Sequence, residues 1–264
     1  MSKVITRGFL LVAILFGSWF SLRQVNWMEI LGVNALMDSE FIKELETEWG
    51  EMMLDNFLAK NQQVTDSLSV AVIDSLAAKV CKANGIDKNS LNIYILENSE
   101  VNAFALPNRQ LIIYSGLIEQ TDSPEALCGV MAHELAHIQK GHVMQSLKRE
   151  IGLGVTFKVL VGGSNFKVIG ELGRILSSSA FSRQMEQEAD LIGLQYLQKA
   201  KIDPKPFASF LGNLENSTSE TFKWISTHPY SEDRKEYILK SINQKSNYEQ
   251  VISDKLWKEF KEDF

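Results

Sequence analysis

Four histidines occur in the 264 residues of this chain, and two of them stand in His133-Glu134-Leu135-Ala136-His137, an HExxH arrangement. Residues four apart on a helix project from one face about a turn apart, so both imidazoles can grip one metal ion from the same side. Glu134 lies roughly 100° round the helix from His133, close enough to handle a reacting water without becoming a ligand. The run from Pro124 to His142 is strongly apolar around the motif, with Asp122 or Ser123 as N-cap and Pro124 at the first helical position. This pattern predicts a buried helix continuing to about Lys148. Imidazoles and a carboxylate inside such a helix need partners, and a metal supplies them. The competing reading is a His pair on a solvated helix face.

HExxH is the arrangement of zinc peptidases, which need a third protein ligand and leave the fourth position to water. A histidine six residues after His137 would be one solution, but Val143 stands there. His142 is one residue too early and lies roughly 140° round a continuous helix from His137, so it reads as a helix-end histidine rather than a ligand. A glutamate on a later helix is the other solution. In Phe181–Gly193, Glu186 and Asp190 are one turn apart. Glu186 can then bind zinc while Asp190 accepts a hydrogen bond from a ligand histidine. The alternative for this segment is a solvated acidic helix, the reading Glu188 receives.

Taken together, His133-Glu134-x-x-His137 and Ser182-Arg183-x-x-Glu186-x-x-Ala189-Asp190 resemble the gluzincin family of HtpX and the CAAX prenyl endopeptidases, peptidase family M48. The run Val101–Leu117 resembles the strand pair that precedes the catalytic helix in that family, with Asn108 where the family usually has glycine; Asn tolerates φ > 0 better than most residues. Thr227-His228-Pro229 followed by Arg234 is similar to the family's terminal His-Pro…Arg element. The resemblance covers roughly residues 65–240. It implies one Zn2+ per chain held by His133, His137 and Glu186, with Glu134 as general base and Asp190 behind a ligand. His228 would stabilise the oxyanion or gate the site, and Arg234 would act likewise or pair with an acid such as Asp190. It further implies that an edge strand containing Asn102, Ala103 and Phe104 holds substrate by main-chain pairing, which favours unfolded or extended polypeptide.

A net charge of −6 gives no sign of nucleic-acid binding. Cys81 and Cys128 lack CxxC spacing and fall in apolar helical stretches where buried free thiols are common; a disulfide between them stays open. Lys3 and Arg7 precede the uncharged run Gly8–Leu22, the shape of a signal segment without a good cleavage site. Fifteen residues at about 1.5 Å each fall short of the roughly 30 Å hydrocarbon core unless flanking residues help. The expectation is a membrane anchor with the domain outside the cytoplasm in a bacterial-type envelope, or periplasmic release if the segment is cleaved.

Coarsely, Asp38–Leu58 and Val64–Ala83 read as helices and Leu91–Leu96 as a strand ahead of the hairpin. The catalytic helix follows, then the ligand helix ending near Lys201, with further helices at Pro206–Asn216, Ser231–Ile242 and Asp254–Phe260. The fold expected is α+β, a zincin-like domain mostly helical with a small sheet beside the catalytic helix. Its parts are a signal or anchor segment (1–23), an N-terminal helical region (24–63), a metallopeptidase domain (64–245) and a charged C-terminal helix (246–264). The glycine-rich Ile151–Leu176 reads as a core helix pair with a flexible turn, or as a mobile lid or membrane-facing surface. The function expected is zinc-dependent endopeptidase action in membrane or envelope protein quality control; a chaperone-like binding factor is the alternative.

Overall fold

A computed structural model describes residues 39–147, 181–215, 224, 228, 233–242 and 247–264. The expectations for residues 1–23 and 151–176 lie outside the described residues. Glu46–Phe264 forms one compact unit, and the described part of the unit before it is Ser39–Leu45, the first turns of a helix.

The elements are α1 (Ser39–Leu58), α2 (Ser67–Ala83), β1 (Asn92–Leu96), β2 (Ala103–Leu106), β3 (Gln110–Tyr114), α3 (Ser115–Gln120), α4 (Pro124–Lys140), α5 (Arg183–Lys199), α6 (Lys205–Glu215), α7 (Asp233–Ser241) and α8 (Asp254–Lys261). The fold is α+β, helical around a three-stranded mixed sheet in the order β1-β3-β2. β1 runs parallel to β3 with Asn92 opposite Gln110, and β2 runs antiparallel with Ala103 opposite Ile113. All five residues of β3 are buried, which suits a central strand with no solvated face.

α2 starts three residues later than the sequence suggests. Its N-cap is Asp66, whose carboxylate accepts the Ser69 N–H at 2.8 Å. The residues before it are drawn off by the sheet: Val64 N–H donates to Ile95 O at 2.9 Å, and Glu97 N–H to Gln62 O at 2.8 Å. The outer side of β1 is thereby partly covered. Between β2 and β3 the chain turns through Pro107, Asn108 and Arg109, with φ of 59° at Asn108 and 54° at Arg109. Asn108 thus stands in the left-handed region that glycine would otherwise fill.

The catalytic helix differs from its expected extent. Ser123 caps α4 by accepting the Ala126 N–H at 3.2 Å, but the helix ends at Lys140. Gly141 is left-handed (φ 65°) and its backbone N–H donates to His137 O and Ile138 O, a helix stop available to glycine without strain. A second helical run then covers 142–147.

α4 lies in the middle of the unit, packed on α5, α6, α2 and β2. Leu127, Val130 and Leu135 of α4 share one core with Leu76 and Val80 of α2, Leu111 and Ile113 of β3, and Phe207 of α6. Each such side chain stabilises the fold by about 1.5–3 kcal/mol through burial. Gly193 lets α5 approach α4 closely: a Cβ there would stand 3.1 Å from the His133 nitrogen. α8 joins the same core through Phe260, and Lys261 Nζ donates to Ile118 O and Thr121 O at 3.0 Å, satisfying carbonyls at the end of α3. Cys81 and Cys128 are buried free thiols. Among the described residues no helix is long and apolar enough to cross a membrane.

Candidate metal centre

His133 and His137, one turn apart on α4, face Glu186 in the first turn of α5. A third imidazole, His228, joins them from the segment after α6, where its backbone N–H donates to Trp224 O at 2.8 Å. The four donors form a ring. His133 Nε2 lies 3.0 Å from His137 Nε2 and 3.2 Å from His228 Nδ1. Glu186 Oε1 lies 3.1 Å from His228 Nδ1 and 3.4 Å from His137 Nε2. All four residues are buried, and their ligand atoms lie within 4.8 Å of one another.

These residues fit a cation. His133 Nδ1 stands 2.9 Å from Asp190 Oδ1; a carboxylate only accepts, so the ring proton is on Nδ1 and a lone pair on Nε2 points inward. Lone pairs converging at such distances in a buried site repel unless positive charge lies among them.

Asp190 is itself pinned. Arg234 from α7 reaches it with two nitrogens, and Tyr237 donates its hydroxyl to Asp190 Oδ2. Burial would raise the Asp190 carboxyl, but the Arg234 charge overrides it and holds the group at about 2. Arg234 Nη1 also stands 3.1 Å from Glu186 Oε2. One guanidinium therefore braces both Glu186 and Asp190.

Glu134 is fully partnered. Its Oε1 accepts the indole N–H of Trp224 at 3.2 Å and lies 3.2 Å from His228 Nε2, and its Oε2 accepts the Ala105 N–H at 3.2 Å. Burial opposes its charge, yet His228 keeps the carboxyl below its ordinary value. His228 stands between two acids: burial alone would lower its pKa, but Glu134 and Glu186 push it up to about 10. Burial carries His137 the other way, to about 4.

The residues expected to hold substrate are placed differently from one another and are all enclosed. Asn102 precedes β2, while Ala103 and Phe104 lie in it, and all three are buried. Phe104 packs at 4.8 Å from the Phe57 ring and edge-on to Tyr114 at 5.5 Å. β2 is an edge of the sheet, but the Ala105 N–H on its outer side is taken by Glu134.

Sequence reasoning overlooked Trp224, Tyr237 and the neighbourhood of His142. No local pattern marks the first two. His142 was legible in part: Gly141 is a helix-stop signal, and the 140° estimate assumed a helix running through it. With the helix broken, His142 Nδ1 comes to 3.0 Å from His137 Nδ1.

Comparison with known proteins agrees with this geometry. The chain is 25% identical over 215 residues to a beta-barrel assembly-enhancing protease of Yersinia pestis, covering 75% of this chain and 44% of that one. It is 27% identical over 205 residues to the Escherichia coli K12 protein of the same name (72% and 42% covered), and 28% over 221 residues to the mitochondrial metalloendopeptidase OMA1 of Bos taurus (77% and 42%). The chain thus spans less than half the length of these curated relatives. A model of peptidase family M48 matches residues 67–242, a stretch that holds the whole donor ring and both residues bracing it. With more than half of its length matched, the chain belongs to peptidase family M48.

Proposed function

We propose that this protein is a zinc-dependent metalloendopeptidase that hydrolyses peptide bonds in unfolded or extended polypeptide during membrane or cell-envelope protein quality control. The observation carrying the reading is the buried ring of His133, His137, Glu186 and His228 with the Glu134 carboxylate beside it. Four of its donor pairs, at 3.0–3.4 Å, lie near the roughly 3.3 Å between ligand atoms of tetrahedral zinc with bonds of about 2.0–2.1 Å, and all the donor atoms lie within 4.8 Å of one another.

His133, His137 and Glu186 would hold the zinc, which when bound would supply Lewis-acid polarisation of the scissile carbonyl and a more acidic water. Glu134 takes the proton of the attacking water and passes it to the leaving amine. His228 gates this reaction, because it holds a place in the ring and contacts the base as well. Asp190 keeps the His133 proton on Nδ1, and Arg234 and Tyr237 keep Asp190 in place. The main chain near Asn102, Ala103 and Phe104 receives extended substrate once Ala105 and Glu134 part.

The membrane or envelope setting is supported by relatives named beta-barrel assembly-enhancing protease and mitochondrial metalloendopeptidase. The test pairs metal analysis with digestion of an unfolded protein, wild type beside Glu134→Gln. One zinc in both with cleavage only by wild type is expected, the variant falling by at least about 10²-fold. Absence of zinc overturns the reading. Cleavage of a tightly folded protein as fast as its unfolded form rules out the substrate class, and intact biological activity of Glu134→Gln favours a chaperone-like binding factor.

A further inference from the structure

Among the described residues, His137 has no carboxylate behind it, unlike His133 with its Asp190. Its Nδ1 instead faces His142 Nδ1 at 3.0 Å. Two imidazole nitrogens at that distance need one proton between them, and the next partner along decides who carries it. His142 Nε2 stands 3.4 Å from Glu188 Oε2, and Glu188 Oε1 is held by Lys140 Nζ at 2.6 Å. A carboxylate accepts and cannot donate, so the His142 proton sits on Nε2 and its Nδ1 carries a lone pair. His137 must then donate from Nδ1, which leaves its Nε2 lone pair free to point into the donor ring.

We propose that His142 is a positioning residue for the metal site: with Glu188 and Lys140 it forms a relay that sets the tautomer and ring orientation of the ligand His137. The proposal rests on the metal reading of the ring above. Three independent features of the fold build the relay. Gly141 breaks the helix and turns His142 back onto His137, where a continuous helix would carry it away. Glu188 lies two residues beyond Glu186 on α5, so the helix that brings the acid ligand also brings the acid that orients the second imidazole. Phe181 stacks on His137 with ring centroids 4.0 Å apart, closing the remaining face of the ligand ring and leaving its edge to His142. His142 itself is only 2% exposed, so water does not compete for its Nδ1.

The relay also accounts for Lys140 and Glu188, which a surface reading treats as an ordinary exposed ion pair. Here the lysine fixes the carboxylate rotamer that His142 sees. The two ligand histidines therefore have different supports: a buried anion behind His133 and a neutral imidazole behind His137. A neutral acceptor draws the proton less strongly, so the His137 ligand is the less electron-rich of the two.

The experiment measures Zn2+ affinity of the full chain by chelator competition, with the visible spectrum of the Co2+-loaded protein and thermal unfolding of the metal-free protein beside it. His142→Phe keeps a ring but removes the acceptor; an affinity roughly 10–100-fold lower is expected, with an altered Co2+ spectrum. His142→Asn places an amide oxygen near the Nδ1 position and is expected to restore most of the affinity. Glu188→Ala sits at a half-exposed position that folding tolerates, and should weaken binding several-fold by freeing the His142 tautomer. Unchanged affinity in His142→Phe, equal losses in the Phe and Asn variants, or unchanged affinity in Glu188→Ala would each overturn the relay. Should His142→Phe fail to fold, the Asn and Glu188→Ala results still decide. Failure of the wild type to bind Zn2+ instead sinks the metal reading, and so is distinguishable.

Discussion

Arg234 grips Asp190 as a fork, with Nε 2.8 Å from Oδ2 and Nη2 2.7 Å from Oδ1. The pair ties α7 to the helix that supplies the acid ligand, and both side chains are almost wholly enclosed. Arg234→Ala leaves Asp190 charged, buried and short of its main partner, a change that costs about 3–5 kcal/mol. Arg234→Lys keeps the charge but loses the planar fork, and is expected to recover only part of that loss. Urea unfolding of the metal-free protein measures both; full stability in the Lys variant would show that charge alone matters.

The gating role of His228 predicts a gain rather than a loss. A catalytic zinc site keeps three protein ligands and one place for water, and in the proposed site the fourth donor position is that of His228. His228→Ala is expected to retain one zinc and to cleave unfolded protein several-fold faster at pH 7. Slower cleavage with zinc retained would assign His228 to oxyanion stabilisation instead.

Helix approach at Gly193 can be probed alone. A Cβ there meets the His133 nitrogen at 3.1 Å and the Ala132 carbonyl oxygen at 3.3 Å, backbone that cannot swing aside. Gly193→Ala should push α5 from α4, lowering stability by about 1–3 kcal/mol and weakening zinc binding as well. An alanine variant with both quantities unchanged would show that the helices slide without cost.

A pH effect away from the metal comes from Asp66. The Ser69 N–H holds this carboxyl below its usual 3.8. Because the folded value is depressed, the stabilisation is present above 3.8 and is lost as pH falls through the lower folded value. Asp66→Ala is expected to cost about 1 kcal/mol at pH 7, while Asp66→Asn caps nearly as well. The gap between wild type and the Asn variant should move towards acid pH only; a constant gap between pH 2 and 7, in the range about the reference value, would deny the cap its charge.

What the sequence alone determined is local. HExxH spacing, the Ser123-Pro124 start and the one-turn spacing of Glu186 and Asp190 place His133, His137, Glu186 and Asp190 on two helices, because helical periodicity ties residue spacing to facing direction. The strand pair was legible from its resemblance to the family, with Asn108 in the turn where glycine is usual. Other parts depend on chain segments distant in sequence. Trp224 reaches Glu134 across 90 residues and Tyr237 reaches Asp190 across 47, and no periodicity encodes such meetings. His142 shows the boundary between the two: Gly141 announces that the helix stops, but where the freed histidine turns is decided by what α5 presents to it. Torsional preferences act over a few residues and are written in composition, whereas the partners of a buried charge are chosen by packing of the whole unit, since only there does desolvation make each unpaired group costly.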